Sequence, residues 1–86
     1  MKHFASRRFW EGFEALPHEV QNLARSNYAL LRRDRYHPSL HFRSVRGGQY
    51  RSVRVGLHYR ALGVPVPDGV HWFWIGTHAE YDRLIG

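Results

Sequence analysis

The hydrophobic pattern of this 86-residue chain changes its period once, near Asp34. Before that point apolar residues recur every three or four positions, as on one face of an α-helix, and after it they alternate, as in a β-strand. A helical half followed by a half made of strands is typical of an α+β fold. A chain of this length has room for one hydrophobic core, so we expect a single domain over residues 1–86.

Three helices are predicted from periodicity and end signals. Ser6 can cap a helix over residues 7–16, because its hydroxyl can accept from a free backbone N–H of the first turn. Pro17 suits the first turn of a second helix over residues 17–33. A short helix over residues 79–84 closes the chain.

Four strands are predicted after residue 34, over residues 40–45, 50–55, 59–66 and 70–77, with glycine and proline in the turns between them. The last is apolar at nearly every position, as expected for a central strand covered by helices. We therefore expect two N-terminal helices packed on a twisted antiparallel sheet of about four strands, followed by the short C-terminal helix.

The charge of the chain favours an anionic partner. It has 13 basic and 7 acidic residues, a formal net charge of +6, and Lys2 is its single lysine. The other basic residues are arginines, whose planar guanidinium groups bind phosphate or carboxylate in a bidentate manner. Nucleic acid and an acidic protein are the two leading partner classes. The ordinary alternative is that the arginines only keep the surface soluble.

The composition also excludes several kinds of site. Without cysteine the chain has no disulfide framework, thiolate metal site or cysteine nucleophile. No apolar run approaches the roughly 20 residues of a membrane span, and the start of the chain lacks an apolar signal region, so we expect a cytoplasmic protein with no membrane contact. None of the histidines is expected to pair with a carboxylate at i, i+4 on a helix, and we predict neither a metal site nor a cofactor.

The segment 50–62 predicts a tight hairpin that brings two arginines and His58 close together. A loop of residues 56–57 would place Arg54 and Arg60 on opposite faces of the sheet, whereas a loop of residues 56–58 would place them directly opposite each other. Two like charges side by side are unfavourable unless an anion lies between them. The second register would therefore itself indicate a phosphate site.

A second cluster is predicted where the last strand meets the last helix. His78 and Tyr81 are three residues apart and so face the same way on a helix. Histidine is a common proton carrier for RNA cleavage by attack of the ribose 2′-hydroxyl on the adjacent phosphorus, and arginine can stabilise the charge that develops there.

Both clusters also have purely structural explanations. Arg54 could pack its stem on an aromatic ring and pair with Glu80 or Asp82. His78 could cap the last helix, and Tyr81 could pack on the sheet.

Five segments, taken in order, resemble the RelE/ParE superfamily of bacterial toxins from toxin–antitoxin systems, from about residue 8 to residue 84. They are Arg8-Phe9-Trp10 with Leu16-Pro17, then the segment 37–43 (HPSLHFR), Val53-Arg54-Val55-Gly56, Tyr59-Arg60-Ala61-Leu62, and the segment 72–84 (WFWIGTHAEYDRL). The resemblance implies two helices on a twisted antiparallel sheet with a basic concave face.

In the ribonuclease branch of this superfamily, the resemblance implies metal-free cleavage of messenger RNA in the ribosomal A site and hence inhibition of translation. Arg60 matches an arginine that stabilises the phosphate, His78 lies where members carry an Arg or His for proton transfer, and Arg51 stands where some have a lysine facing the RNA. The lysine cluster of the best-known ribonucleases is absent. The candidate residues are thus His78, Arg60 and Tyr81 for catalysis, and Arg43, Arg51, Arg54 and His58 for binding RNA or phosphate.

Two other activities are compatible with the same resemblance. One branch of the superfamily inhibits DNA gyrase and catalyses nothing, and a non-toxic orphan member would only bind its antitoxin. In every case the resemblance implies an acidic cognate antitoxin that wraps the toxin with an extended or helical segment.

Overall fold

The structure, a computed structural model, describes all 86 residues. They form three α-helices and five β-strands, with turns and loops between them. The helices are α1 (Arg7–Glu14), α2 (His18–Arg33) and α3 (His78–Ile85). The strands are β1 (Lys2–Ala5), β2 (Arg43–Val45), β3 (Tyr50–Val55), β4 (Tyr59–Val66) and β5 (Gly69–Thr77), and a 3-10 turn at Pro38–Leu40 precedes β2. None of the helices has the length and apolar character needed to cross a membrane.

The strands form one sheet in the order β1-β5-β4-β3-β2, in which β5 is an interior strand between β1 and β4. The α+β class, the two N-terminal helices and the short C-terminal helix are confirmed. The sheet has one strand more than expected, because β1 pairs with β5 in parallel, with Phe4 opposite His71. The other neighbouring strands are antiparallel.

The start of β2 also differs from the prediction. Residues 40–45 were expected to be extended, but Leu40 ends the 3-10 turn and His41 adopts a left-handed conformation with φ of 45°. Leu40 is fully buried. The turn therefore anchors the chain in the core, and the strand begins only at Arg43.

The hydrophobic core lies between the sheet and the pair α1 and α2. Its members come from both helices, the 3-10 turn and three strands: Phe13, Val20, Leu31, Leu40, Val53, Val55, Ala61, Val70, Trp72 and Ile75. Ser6 caps α1 as predicted, with the backbone N–H of Phe9 donating to its hydroxyl at 3.1 Å. Since successive residues of a strand face opposite ways, the neighbours of these core residues in β3, β4 and β5 lie on the other face of the sheet.

α3 packs on that other face and is capped at its start. Tyr81 is buried there, and its ring centroid lies 6.5 Å from that of Trp74. A capping box begins the helix: the Thr77 hydroxyl accepts from the N–H of Glu80 at 3.2 Å, and the Glu80 carboxylate accepts from the N–H of Thr77 at 3.0 Å. The hydrogen bonds that the carboxylate accepts from the N–H and the hydroxyl of Thr77 lower the pKa of Glu80. The cap fixes where the residues of the first turn of α3 point.

The β3–β4 hairpin has the three-residue loop 56–58, because Val55 pairs with Tyr59. Gly56 begins this loop with φ of 65°, a left-handed conformation that glycine adopts without strain. A Cβ on this glycine would come within 2.5 Å of Leu23 Cδ2 on α2. Backbone conformation and the close approach of α2 thus both favour glycine here, and the loop they shape sets the register of the strands.

We expect Gly56→Ala to lower the free energy of unfolding by more than the roughly 1–2 kcal/mol that left-handed strain alone costs, because the Leu23 side chain must also move. Thermal unfolding followed by circular dichroism measures this. Gly47→Ala is the matched control, since Gly47 has φ of 67° with nothing within 4 Å. Equal losses in the two variants would show that the contact with α2 contributes nothing.

Candidate active site

Arg54 of β3 and Arg60 of β4 lie directly opposite each other on the α3 face of the sheet. Of the two registers left open by the sequence, the structure has the one that juxtaposes these charges. No carboxylate forms an ion pair with either guanidinium, so the expected alternative pairing of Arg54 with Glu80 or Asp82 is not made. The site therefore holds two facing positive charges with no carboxylate in contact with either, and Asp82 offsets the charge of Arg60 only weakly, from a distance.

Both arginines are partly withdrawn from water. Arg60 is only 9 % exposed, and the Nε of Arg54 is buried without a hydrogen-bond partner. Burial, followed by the charge of Arg54, lowers the pKa of the Arg60 guanidinium. A bound anion would relieve the repulsion and satisfy the free donor, which makes this pair suited to a phosphate.

Tyr81 of α3 covers Arg60 from above the sheet. The Arg60 Cζ lies 5.8 Å from the centroid of the Tyr81 ring, within cation–π range. The tyrosine is 4 % exposed, as the packing explanation expects, yet its hydroxyl is buried with no hydrogen-bond partner. Packing alone leaves this hydroxyl unexplained, and it can donate to an oxygen held by the arginines.

His78 begins α3 and is paired with Asp82, one turn further on. Its Nδ1 lies 3.2 Å from the Asp82 carboxylate, so the expectation that no histidine pairs with a carboxylate at i, i+4 is wrong. When Nδ1–H donates to Asp82, Nε2 is left for a substrate. The ring lies 6.2 Å from that of Tyr81, and the helix cap is Thr77 rather than His78.

His58 contributes to the site through its backbone. It ends the hairpin loop, and its carbonyl oxygen accepts from the N–H of His78 at 2.8 Å. Its side chain is exposed. The loop that sets the Arg54–Arg60 register thus also positions the first residue of α3.

The two remaining candidate arginines lie on different faces. Arg43 of β2 pairs with Ser52, two residues before Arg54, and so shares its face. Arg51 is three residues before Arg54 and faces the other way, where its Nη1 donates to the carbonyl oxygens of Gly48 and Tyr50 at 3.0 and 3.2 Å. The structure brings Arg43 to the site and leaves Arg51 outside it.

His41 belongs to the site although sequence reasoning did not select it. Its Nδ1 lies 3.4 Å from Nη2 of Arg54. The charge of Arg54 lowers the pKa of His41, with smaller contributions from burial, Arg60 and Arg43. The sequence spacing of His41 carries no signal for this placement. The direction of its side chain follows from the left-handed backbone of His41 itself, directly after the 3-10 turn, in a region that was expected to be extended. We call Arg43, Arg54, Arg60 and His41 the basic cluster.

The basic cluster and the start of α3 together offer donors for a phosphate and two imidazoles. No group of three or more His, Asp or Glu side chains is arranged to hold a metal ion. The arrangement can bind a phosphodiester and transfer protons beside it, which are the elements of general acid–base catalysis at phosphorus.

The fold is shared with known toxin structures. A chain of the RelB–RelE antitoxin–toxin complex from Methanococcus jannaschii aligns with a TM-score of 0.73 and 12 % identity, covering 96 % of this chain and 99 % of that chain. A copper-bound mutant toxin from Helicobacter pylori aligns with a TM-score of 0.64 and 15 % identity, covering 93 % of this chain and 97 % of that chain. No curated protein matches the sequence significantly.

The sequence itself matches a family model. Residues 18–83, most of the chain, match the ParE-like toxin domain, and this stretch includes α2, the hairpin and nearly all of α3. The resemblance to the RelE/ParE superfamily is thereby confirmed. The chain belongs to the ParE-like toxin family.

Proposed function

We propose that this protein is a toxin that cleaves RNA by attack of a ribose 2′-hydroxyl on the adjacent phosphorus. The observation that carries the proposal is the Arg54–Arg60 pair, two partly buried like charges that face each other without a carboxylate. Such an arrangement lowers the stability of the free protein and becomes favourable when a phosphate binds.

In this proposal Arg54 and Arg60 hold the scissile phosphate and stabilise the charge of the pentavalent intermediate. Tyr81 orients a phosphate oxygen with its free hydroxyl, and His78 acts as general acid or base through Nε2. Arg43 extends the positive surface along the bound strand. The RNA supplies the nucleophile, and the side chains transfer protons and stabilise the negative charge. The proposal therefore includes no cofactor.

The proposed partners are RNA, including messenger RNA on the ribosome, and an acidic antitoxin. The net charge of +6 and the likeness to a toxin crystallised with its antitoxin support this assignment. An apolar groove of about 320 Å³ between β1, α1 and α2, lined by Phe4, Phe9, Trp10 and Tyr28 among others, would bury apolar side chains of the antitoxin. Arg25 at the same groove suits its acidic residues. The protein would act in the cytoplasm, where these partners are found.

A second candidate function is inhibition of DNA gyrase without catalysis. The description of the matching family as ParE-like favours this candidate. In that case the basic cluster would bind an acidic surface of the target protein rather than a scissile phosphate.

Primer extension of cellular RNA after induced expression separates the two functions. A supercoiling assay with purified gyrase complements it. Cleavage predicts new 5′ ends within minutes and normal supercoiling, whereas inhibition predicts intact RNA and blocked supercoiling.

His78→Ala and Arg60→Ala, made separately, are expected to relieve growth arrest while circular dichroism shows them folded. Arrest that persists in both variants would contradict the roles assigned to these residues.

A further inference from the structure

We propose that a groove beside Tyr36, adjoining the basic cluster, binds a nucleotide that flanks the scissile phosphate of a single-stranded RNA. This inference rests on the proposed ribonuclease function and extends its substrate to a strand several nucleotides long. The groove has a volume of about 570 Å³ and lies between the loop after α2, the edge strand β2 and the turn that joins β4 to β5. Its other polar side chains are Arg35, Arg43, Ser44, Arg51 and Asp68.

Tyr36 presents its ring to solvent from a fixed backbone. It is 71 % exposed and lies outside the hydrophobic core, although aromatic side chains are the largest contributors to most cores. Its N–H donates to the Asp34 carboxylate at 3.1 Å, and the N–H of His37 donates to the Asp34 carbonyl oxygen at 3.1 Å. The loop therefore holds the ring in place without covering it, so the ring is available to a ligand.

Arg35 covers one face of that ring. Its Cζ lies 4.9 Å from the ring centroid, within cation–π range. The opposite face is left for a second flat group, and the bases of single-stranded RNA stack on aromatic rings in this way. A run of acidic residues would engage the arginine but leave the ring unused. The exposed ring thus favours RNA over an acidic protein as the occupant of the groove.

The charge of the groove suits the phosphates of such a strand. Arg43 and Arg51 line it together with Arg35. The one carboxylate in the lining, that of Asp68, is paired with Lys2 at 3.4 Å. Two backbone carbonyl oxygens accept from Nη1 of Arg51, which fixes the guanidinium and leaves its Nε and Nη2 for phosphate oxygens.

Arg43 connects the groove to the basic cluster. It stands on the three-residue edge strand β2, shares the face of Arg54 and also lines the groove. A strand whose scissile phosphate binds in the basic cluster can therefore pass over Arg43 and place a flanking nucleotide against Tyr36. Since every base has a flat face, this contact strengthens binding without selecting a sequence.

Binding of an uncleavable RNA tests the groove. The probe is a fluorescent oligonucleotide with a 2′-deoxy residue at the cleavage position mapped by primer extension. It is extended on the 5′ or the 3′ side, either by ordinary nucleotides or by abasic residues that keep the phosphates and lack the bases. Fluorescence anisotropy at low salt gives each Kd. We expect one of the two extensions to bind the wild type about 10-fold more tightly with bases than without them, as stacking of a single base predicts.

Two variants separate the ring from the charges. Tyr36→Ala should bind both forms of that extension with the wild-type affinity for the abasic form, and its exposed position leaves the fold intact. Arg51→Met should weaken both forms and reduce the slope of log affinity against log salt by about 0.7, the value for one phosphate contact on a single strand. Arg33→Met, an exposed arginine of α2 outside the groove, is the matched control and should keep the wild-type slope and preference for bases.

The outcomes distinguish the groove from the function that it rests on. Equal binding of both forms of each extension by the wild type, no binding of free RNA at low salt, or a preference for bases that survives in Tyr36→Ala would overturn the groove, while mapped cleavage still upheld the ribonuclease. Weaker binding of an oligoglutamate peptide by Tyr36→Ala, with RNA binding unchanged, would assign the groove to an acidic protein instead. A wild type that leaves cellular RNA uncut would overturn both.

Discussion

Arg60→Met is expected to slow RNA cleavage by a factor of about 10² to 10³, the usual cost of removing one donor from a preorganised site that stabilises developing negative charge. Arg60 is 9 % exposed and lies opposite Arg54 and beneath the Tyr81 ring, so no solvent-exposed cation can replace it. Methionine keeps most of the apolar stem in place. Single-turnover cleavage of a labelled RNA measures the effect.

Arg33→Met is the matched control for this variant. Arg33 lies exposed in the last turn of α2, where its charge complements the helix dipole. It is not a member of the basic cluster. Loss of activity in both variants to the same extent would mean that net charge, rather than the position of Arg60, governs cleavage. Wild-type activity of Arg60→Met would contradict the phosphate-binding role directly.

Most of the fold could be predicted because its signals are local. The period of the apolar residues and caps such as Ser6 need only a few neighbouring positions, and they locate the helices and the long strands. β1 has only four residues, and its partner β5 lies more than 60 residues away in the chain. Such short parallel pairing leaves no local pattern, which explains why the expected sheet was one strand too small.

The site was predictable in its residue types but not in its geometry. Both hairpin registers keep the alternation of β3 and β4, and the loop that separates them packs against Leu23 of a different element, where Gly56 leaves no room for a Cβ. His41 was missed because its direction depends on a single left-handed residue after a 3-10 turn. Local patterns therefore identify the arginines, whereas tertiary packing decides which groups face them.

Arg54→Met is expected to stabilise the free protein while it impairs cleavage. The variant removes a like charge directly opposite Arg60 and a buried Nε that has no partner. The facing like charges cost up to about 1 kcal/mol, and a buried donor without a partner costs about 1–3 kcal/mol. The thermal midpoint should rise by at least about 4–8 °C, the shift that 1 kcal/mol produces in a domain of this size. Cleavage should fall by about 10²-fold.

An inorganic anion should invert the order of stabilities if the arginine pair is a phosphate site. Phosphate binding only the folded state raises the free energy of unfolding by RT ln(1 + [L]/Kd), so the wild-type midpoint should climb with phosphate concentration, while that of Arg54→Met changes little. Chloride at equal ionic strength separates binding from screening of the two charges. Arg33→Met should follow the wild type in both salts. If phosphate and chloride raised the wild-type midpoint equally, the Arg54–Arg60 pair would be a screened repulsion without a ligand, and the arginines would need another explanation.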